Sequence, residues 1–271
     1  MLIFAHRGLK LEQPENTLEA FGAAAVAQFG IECDVRITKD KDLICIHDRN
    51  PERTSGYSEI RDVHEHTVAE LQSLHVGNIC WQWQKPARIP RFLDVAAQVI
   101  AGFDGAYQRA AIHVKTEEQG DRQFAILAQA FSRYDLYNKA FLFDLTLESA
   151  ARMRAIDPKI QIFISVGEKR YAPSIHMWDD LKDHGSLYDG VWWDEWSIAG
   201  AAYTHARAEE IKKTGKLIYA ISPELHLDHR HPHALMGYYQ EWERFISWGV
   251  DGVCTAFPRA FRDFLSTAID T

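Results

Sequence analysis

The stretch Ile31-Glu-Cys-Asp-Val-Arg-Ile-Thr-Lys-Asp-Lys-Asp-Leu-Ile-Cys-Ile-His-Asp48 decides how this chain folds. It holds an apolar run carrying Glu32 and Asp34, then a second apolar run at 43–46, with only residues 38–42 between them. A parallel crossover needs about a dozen residues or more, so the second run must return antiparallel, as a hairpin. With the reversal centred near Asp40 and Lys41, Asp34 lies opposite His47. The hairpin then folds His47 back over a carboxylate pair whose members, two apart in a strand, face the same way.

Outward from there, short apolar runs alternate with segments of helical spacing along the whole chain. Strands are expected at residues 2–6, 31–35, 111–115, 140–143, 161–165, 190–193, 217–221 and 252–254. Helices are expected at 17–29, 67–74, 92–100, 122–134, 147–156 and 201–214. Asn16 is the expected cap of the first helix, with Glu19 reaching back, and Gly30 its expected stop. Eight strands alternating with helices point to an α/β chain folded as a (β/α)8 TIM barrel, with an extra β-hairpin over the active-site mouth after strand 2. No boundary is visible, so residues 1–271 are read as one domain. Trp81 and Trp83, in the excursion from 48 to 110, are expected to cover part of the mouth.

The composition, 46% hydrophobic and 25% charged, is that of an ordinary globular chain. No apolar run approaches the ~18–20 residues that cross a bilayer. The opening Met1-Leu-Ile-Phe-Ala-His-Arg7 has no basic region and no cleavable apolar core, so a cytoplasmic location is expected. Cys33, Cys45, Cys80 and Cys254 show no metal spacing and read as reduced, packed thiols. A net charge of −8 argues against nucleic acid as a partner. An anionic small-molecule substrate would therefore need local cations, for which Arg7 and Lys115 are candidates.

The chemistry-bearing residues cluster early. Glu32 and Asp34, flanked by Ile31, Cys33 and Val35, form half of a site for a hard cation if they point into the barrel; the alternative is a solvated strand edge. His6 ends the neighbouring first strand. Proton transfer from an attacking hydroxyl and to a leaving alkoxide needs two groups titrating near neutrality, which makes His6 and His47 the candidate catalytic pair. Arg7 carries a fork of donors suited to phosphate oxygens. Lys115 ends the third strand on the face of His113 and is a second candidate phosphate contact. Farther on, Ile221-Ser-Pro-Glu-Leu-His226 runs into Asp228-His-Arg-His-Pro-His233, a strand-to-helix loop expected to line the pocket. Its histidines have the spacing of a metal cluster, but a solvated polar loop is the favoured reading. Trp192, Trp193 and Trp196 are read as core and rim.

These motifs resemble the glycerophosphodiester phosphodiesterases, within the wider phosphatidylinositol phospholipase C-like group. The resemblance rests on His6-Arg7-Gly8, Glu15-Asn16-Thr17, Glu32-Cys33-Asp34, His47-Asp48 and His113-Val114-Lys115, with smaller echoes at Thr38-Lys39-Asp40, Arg53-Thr54, Ile89-Pro90 and Val250–Thr255. It implies a small-molecule phosphodiester substrate, His6 and His47 as acid and base, Glu32 and Asp34 on a divalent ion, and Arg7 and Lys115 on the phosphate. The departure is His113, where the family pattern has a third metal-binding glutamate. Two carboxylates and a neutral imidazole leave a divalent site with a charge of about zero. Mg²⁺ or Ca²⁺ is the expected ion, with Mn²⁺ or Zn²⁺ admitted by the nitrogen ligand. Glu117, Asp194, Glu195 and Glu224 are alternative sources of a third acid, and a metal-free protein is another outcome. The leading expectation is hydrolysis to an alcohol and a phosphomonoester. The alternatives are a phospholipase C-like or sphingomyelinase D-like lyase giving a cyclic phosphate, and a non-catalytic barrel binding a phosphorylated polyol.

Overall fold

Alternate residues along a strand take opposite sides of a sheet, and here the two sides are the inside and outside of a barrel. The computed structural model describes residues 1–77 and 87–269, so Cys80, Trp81 and Trp83 lie outside the described residues. In chain order the elements are β1 (Leu2–His6), α1 (Leu18–Val26), β2 (Gly30–Ile37), β3 (Leu43–Cys45), α2 (Glu52–Ser55), α3 (Val68–Ser73), α4 (Phe92–Gln98), β4 (Ala110–Val114), α5 (Asp121–Tyr134), β5 (Ala140–Phe143), α6 (Leu147–Ile156), β6 (Ile162–Val166), β7 (Ile175–His176), β8 (Gly190–Trp193), α7 (His205–Lys213), β9 (Leu217–Ile221), α8 (Tyr238–Ser247), β10 (Gly252–Thr255) and α9 (Pro258–Ile269). Eight parallel strands run in the order β1-β10-β9-β8-β6-β5-β4-β2, and β1 pairs with β2 to close the ring. This is the (β/α)8 barrel.

Alternation sorts the core into two shells. Phe4, Ala111, Phe141, Phe143, Phe163, Trp192, Tyr219, Ile221 and Cys254 pack together inside the barrel. Their neighbours in sequence, such as Ile3, Ile112, Leu142, Ile164 and Val191, pack outward against the helices. Glu32, level with His6 at the end of β1, and Asp34, level with His113 near the end of β4, stand where the apolar filling stops. Among the described residues no helix is long and apolar enough to cross a membrane.

The hairpin forms as expected, with a different register. β3 pairs antiparallel to β2 through Val35↔Cys45, Arg36↔Ile44 and Ile37↔Leu43. This centres the reversal on Asp40, and Ile46 rather than His47 stands across from Asp34, its N–H donating to Asp34 O (3.1 Å). Within a ladder such a slip would turn His47 to the wrong face. The ladder ends at Cys45, however, so His47 lies beyond it and turns over the mouth. The tight turn is held by Thr38, whose Oγ1 donates to Asp40 Oδ1 (2.6 Å) and accepts from Asp42 N–H (3.1 Å).

The cap of α1 also differs. Thr17 Oγ1, not Asn16, accepts from Ala20 N–H (3.2 Å), because Asn16 sits in the left-handed region with φ 55° and its side chain is committed elsewhere. The helix ends at Val26, and Gly30 opens β2 instead of stopping the helix. A Cβ on Gly30 would stand 2.5 Å from the carbonyl oxygen of Arg109, so only glycine fits between the strands. Thr67 caps α3 with a reciprocal contact from Glu70. The two-residue β7, paired beside β6, has no counterpart among the expected strands.

Candidate functional site

The first turn of the chain sets one wall of the site. β1 delivers His6 level with Glu32 on β2, Nε2 to Oε2 3.7 Å. Arg7 and Gly8 then turn sharply, both with positive φ (58° and 78°). A Cβ on Gly8 would meet Ala20 at 2.7 Å, so the turn needs glycine there. The turn points Arg7 N–H at Glu32 Oε2 (3.1 Å) and its guanidinium at Glu15 Oε1 (3.1 Å). Arg7 Nε, 3.6 Å from Asp34 Oδ2, is buried without a hydrogen-bond partner.

Register brings the next group together. Asp34 on β2 faces His113 on β4, and Glu32, Asp34 and His113 each offer a ligand atom within 4.8 Å of the others. Glu32 and Asp34 are both buried. Asn16 clamps Asp34 twice: its Nδ2 donates to Asp34 Oδ2 (3.0 Å), and its Oδ1 accepts from Asp34 N–H (3.2 Å). Asp34 Oδ1 also meets His113 Nδ1 (3.0 Å) and Lys115 Nζ (3.3 Å). Burial works to raise the Asp34 carboxyl, but Lys115, His47 and His113 outweigh it and hold the group well below its ordinary range. Glu32 goes the other way, pushed up to about 7 by burial first and then by Asp34. Two carboxylates forced close together, one of them reluctant to ionise, are what a cation would relieve.

The other nitrogen of His113 engages a residue the sequence reasoning missed. His113 Nε2 lies 3.2 Å from Asp144 Oδ2, and Ser174 Oγ donates to the same oxygen (2.8 Å). Asp144 immediately follows β5 with φ 68°. Its position at the end of a barrel strand was the available signal. Of the acids weighed as a replacement for the family's glutamate, Glu117 is half-exposed and bound to Arg36 (3.0 Å). Glu195 is buried, accepting backbone N–H groups from Gly200, Ala202 and Tyr203. Glu224 accepts from Ser222, Thr255 and Ala256 N–H. Asp194 lines the cavity.

His47 arrives over the opposite side of Asp34. Its Nδ1 lies 2.8 Å from Asp48 Oδ1. Arg53 donates to Asp48 Oδ2 (2.6 Å) and to both oxygens of Glu15 (2.6 and 3.0 Å), which also holds Arg7. A continuous chain of charge thus runs from Arg7 through Glu15, Arg53 and Asp48 to His47, and it accounts for Glu15 and Arg53 in the motif pattern. Burial holds His47 below its ordinary value against the opposing pull of Asp34 and Asp48. Burial, then Lys10 and Arg7, hold His6 well below 6.5, with Lys10 Nζ only 2.8 Å from His6 Nδ1.

His6, Arg7, Glu32, Asp34, His47 and His113 line one cavity of about 180 Å³, open to solvent. Lys115 reaches it through Asp34. Across the cavity stand Trp192, Trp196, Asp194, His226, Asp228 and His229. The histidine-rich loop is only partly solvated: Asp228 and His229 are exposed, but His226 and His231 are buried, on Asp194 (2.5 Å) and Glu195 (3.2 Å). Trp192 belongs to the barrel interior, Trp193 packs outward, and Trp196 forms the rim.

Residues 6–260 match the glycerophosphoryl diester phosphodiesterase family. A glycerophosphodiester phosphodiesterase of Caldanaerobacter subterraneus is 38% identical over 96 residues, 35% of this chain and 38% of that protein. One from Bacillus subtilis is 24% identical over 279 residues, 96% of this chain and 85% of that one. With curated relatives 38–51% identical, the matched stretch spans 22–38% of their length. The solved structure of an Oleispira antarctica phosphodiesterase in complex with the product sn-glycerol-3-phosphate superposes with a TM-score of 0.73 and 21% identity, covering 100% of this chain and 97% of that one. At that identity the likeness shows the fold.

Proposed function

We propose a metal-assisted phosphodiester hydrolysis for this chain, which belongs to the glycerophosphoryl diester phosphodiesterase family. The substrate is a glycerophosphodiester, split into an alcohol and a phosphomonoester. One observation carries the reading: two imidazoles, His6 and His47, line a single cavity together with the Glu32, Asp34 and His113 cluster. The product named for the Oleispira relative supports the substrate class.

The donor set fits a divalent cation, since Glu32 and Asp34 bring two negative charges and His113 Nδ1 a nitrogen beside them. A mixed oxygen and nitrogen set suits Mn²⁺ or Zn²⁺ as well as Mg²⁺ or Ca²⁺. When bound, such an ion supplies positive charge to phosphoryl oxygens and acidifies a nearby hydroxyl. His113 must then present Nδ1 deprotonated and keep its proton on Nε2, where Asp144 accepts it; Asp144 is thus a positioning residue for His113.

The remaining residues divide the work by charge. Arg7, with its unpartnered buried Nε, and Lys115 hold phosphate oxygens. Asp48 on Nδ1, with Asp34, favours the protonated form of His47 against the burial that lowers it, and on that contact His47 is assigned as the donor to the departing alkoxide. Lys10 and Arg7 oppose a charged His6, which makes His6 the acceptor of the proton from the attacking water or hydroxyl. Among the described residues Cys33, Cys45 and Cys254 are buried free thiols, which suits a reducing, cytoplasmic compartment.

Incubation with glycerophosphocholine and each of Mg²⁺, Ca²⁺, Mn²⁺ and Zn²⁺, followed by phosphorus NMR, tests the reading. A phosphomonoester product is expected. A stable cyclic phosphate would replace hydrolysis with a lyase reaction, and saturable binding without turnover under any ion would leave a binding barrel.

A further inference from the structure

The loop after β9 carries a second constellation that the proposed hydrolysis does not use. His226, Asp228 and His229 each present a ligand atom within 4.8 Å of the other two. Donors held 2.0–2.2 Å from one ion fall inside that spacing. The loop lies across the barrel from the first cluster, three strands from β2 in one direction and four from β4 in the other. Both clusters open on the same cavity.

We propose that His226, Asp228 and His229 form a second divalent-cation site on this wall, taking a nitrogen-accepting ion such as Zn²⁺ or Mn²⁺. Two imidazoles and one carboxylate favour such ions over Ca²⁺. The orientation of His226 is the second observation. Its Nε2 lies 2.5 Å from Asp194 Oδ1, and its ring stacks on Trp196 at 4.9 Å and 21°. A ligating histidine characteristically gives its other N–H to a carboxylate, which fixes the tautomer and aims the free nitrogen. Here Asp194 takes Nε2 and leaves Nδ1 for an ion.

The loop backbone is pinned to match. His229 N–H and His231 N–H both donate to His226 O (3.2 Å each), and His231 is anchored on Glu195. His229 rests edge-on against Trp196 at 4.9 Å. The loop therefore presents His226 and His229 from a closed turn on a buried footing.

Charge supplies the reason for such a site. Among the described residues Glu32, Asp34, Asp144, Asp194 and Asp228 line the cavity, against the guanidinium of Arg7. An anionic ligand would meet repulsion from both walls. An ion in the first cluster neutralises only the β2 side. A second, on Asp228, makes the outer half of the cavity accessible to an oxygen-rich or anionic group.

The test is metal stoichiometry on the whole protein. Co²⁺ and Zn²⁺ are titrated into the wild type, His229→Ala, Asp228→Asn and Glu32→Gln, with folding checked by circular dichroism. The wild type is expected to bind two ions. His229→Ala and Asp228→Asn should each lose one of them, roughly tenfold or more in affinity, and change the visible Co²⁺ spectrum. Glu32→Gln should keep the His226 site. A wild type binding one ion that Glu32→Gln abolishes and His229→Ala leaves intact overturns the proposal alone. One ion lost in His229→Ala but retained in Glu32→Gln overturns the Glu32 reading instead. No bound ion in any form overturns both.

Discussion

Replacing Asp144 by asparagine removes one charge and leaves the shape of the site almost unchanged. Asp144 Oδ2 faces His113 Nε2 at 3.2 Å and accepts from Ser174 Oγ at 2.8 Å. The partner of a ligating imidazole gives a charge-assisted hydrogen bond, and such bonds contribute about 1.5–3 kcal/mol. At about 1.4 kcal/mol per factor of ten, this is roughly 10–150-fold in metal affinity. The 10–100-fold typical of losing the carboxylate behind a metal-bound histidine is the same range. Isothermal titration of Mn²⁺ into wild type, Asp144→Asn, His113→Ala and the double variant measures it. In the His113→Ala background Asp144→Asn should weaken binding by less than threefold, because the pair acts as a unit. Folded Asp144→Asn binding Mn²⁺ within twofold of the wild type would refute the reasoning. Equal losses in both backgrounds would do the same.

Other outcomes follow from the same geometry. His6→Ala and His47→Ala should each lower kcat by about 10²–10⁴; near-normal turnover by either variant in a steady-state assay would remove it from catalysis. Burial, Lys10 and Arg7 hold His6 well below 6.5. Its neutral, proton-accepting form therefore persists as pH falls through 6.5, so kcat/KM should still be on its plateau there and decline only in more acidic buffer. An acid limb centred above 6.5 would contradict the assignment. Chelation should abolish turnover, and added Mn²⁺ or Mg²⁺ should restore it; full activity after dialysis against chelator would rule out the metal. Gly8→Ala places a Cβ 2.7 Å from Ala20 at φ 78°, and a loss of about 1–3 kcal/mol is expected. Calorimetry showing an unchanged Tm would mean the Arg7–Gly8 turn can relax.

The chain by itself determined the barrel, because its strands are apolar runs of the right length separated by helical spacing, and side-chain alternation is a local property. β1, β5, β8 and β9 begin and end where the apolar runs do. It also determined that Glu32 and Asp34 share a face and that the run at 43–46 reverses, since too few residues intervene for anything else. What it left open depended on distance in space. Asn16 reads as a helix cap, yet folding places Asp34 within reach of both ends of its amide, and Thr17 takes over the cap. Hairpin register turned on one residue of turn geometry, and His47 reached the site only because the ladder stops before it. Asp144 lies 31 residues from His113 and meets it through strand pairing. The histidine-rich loop looked solvated because polarity is all a sequence shows; Asp194 and Glu195, brought in from the end of β8, bury two of its imidazoles. Spacing along the chain sets which faces exist. Which charges meet across them is decided by closure of the ring, which sets strands distant in sequence side by side.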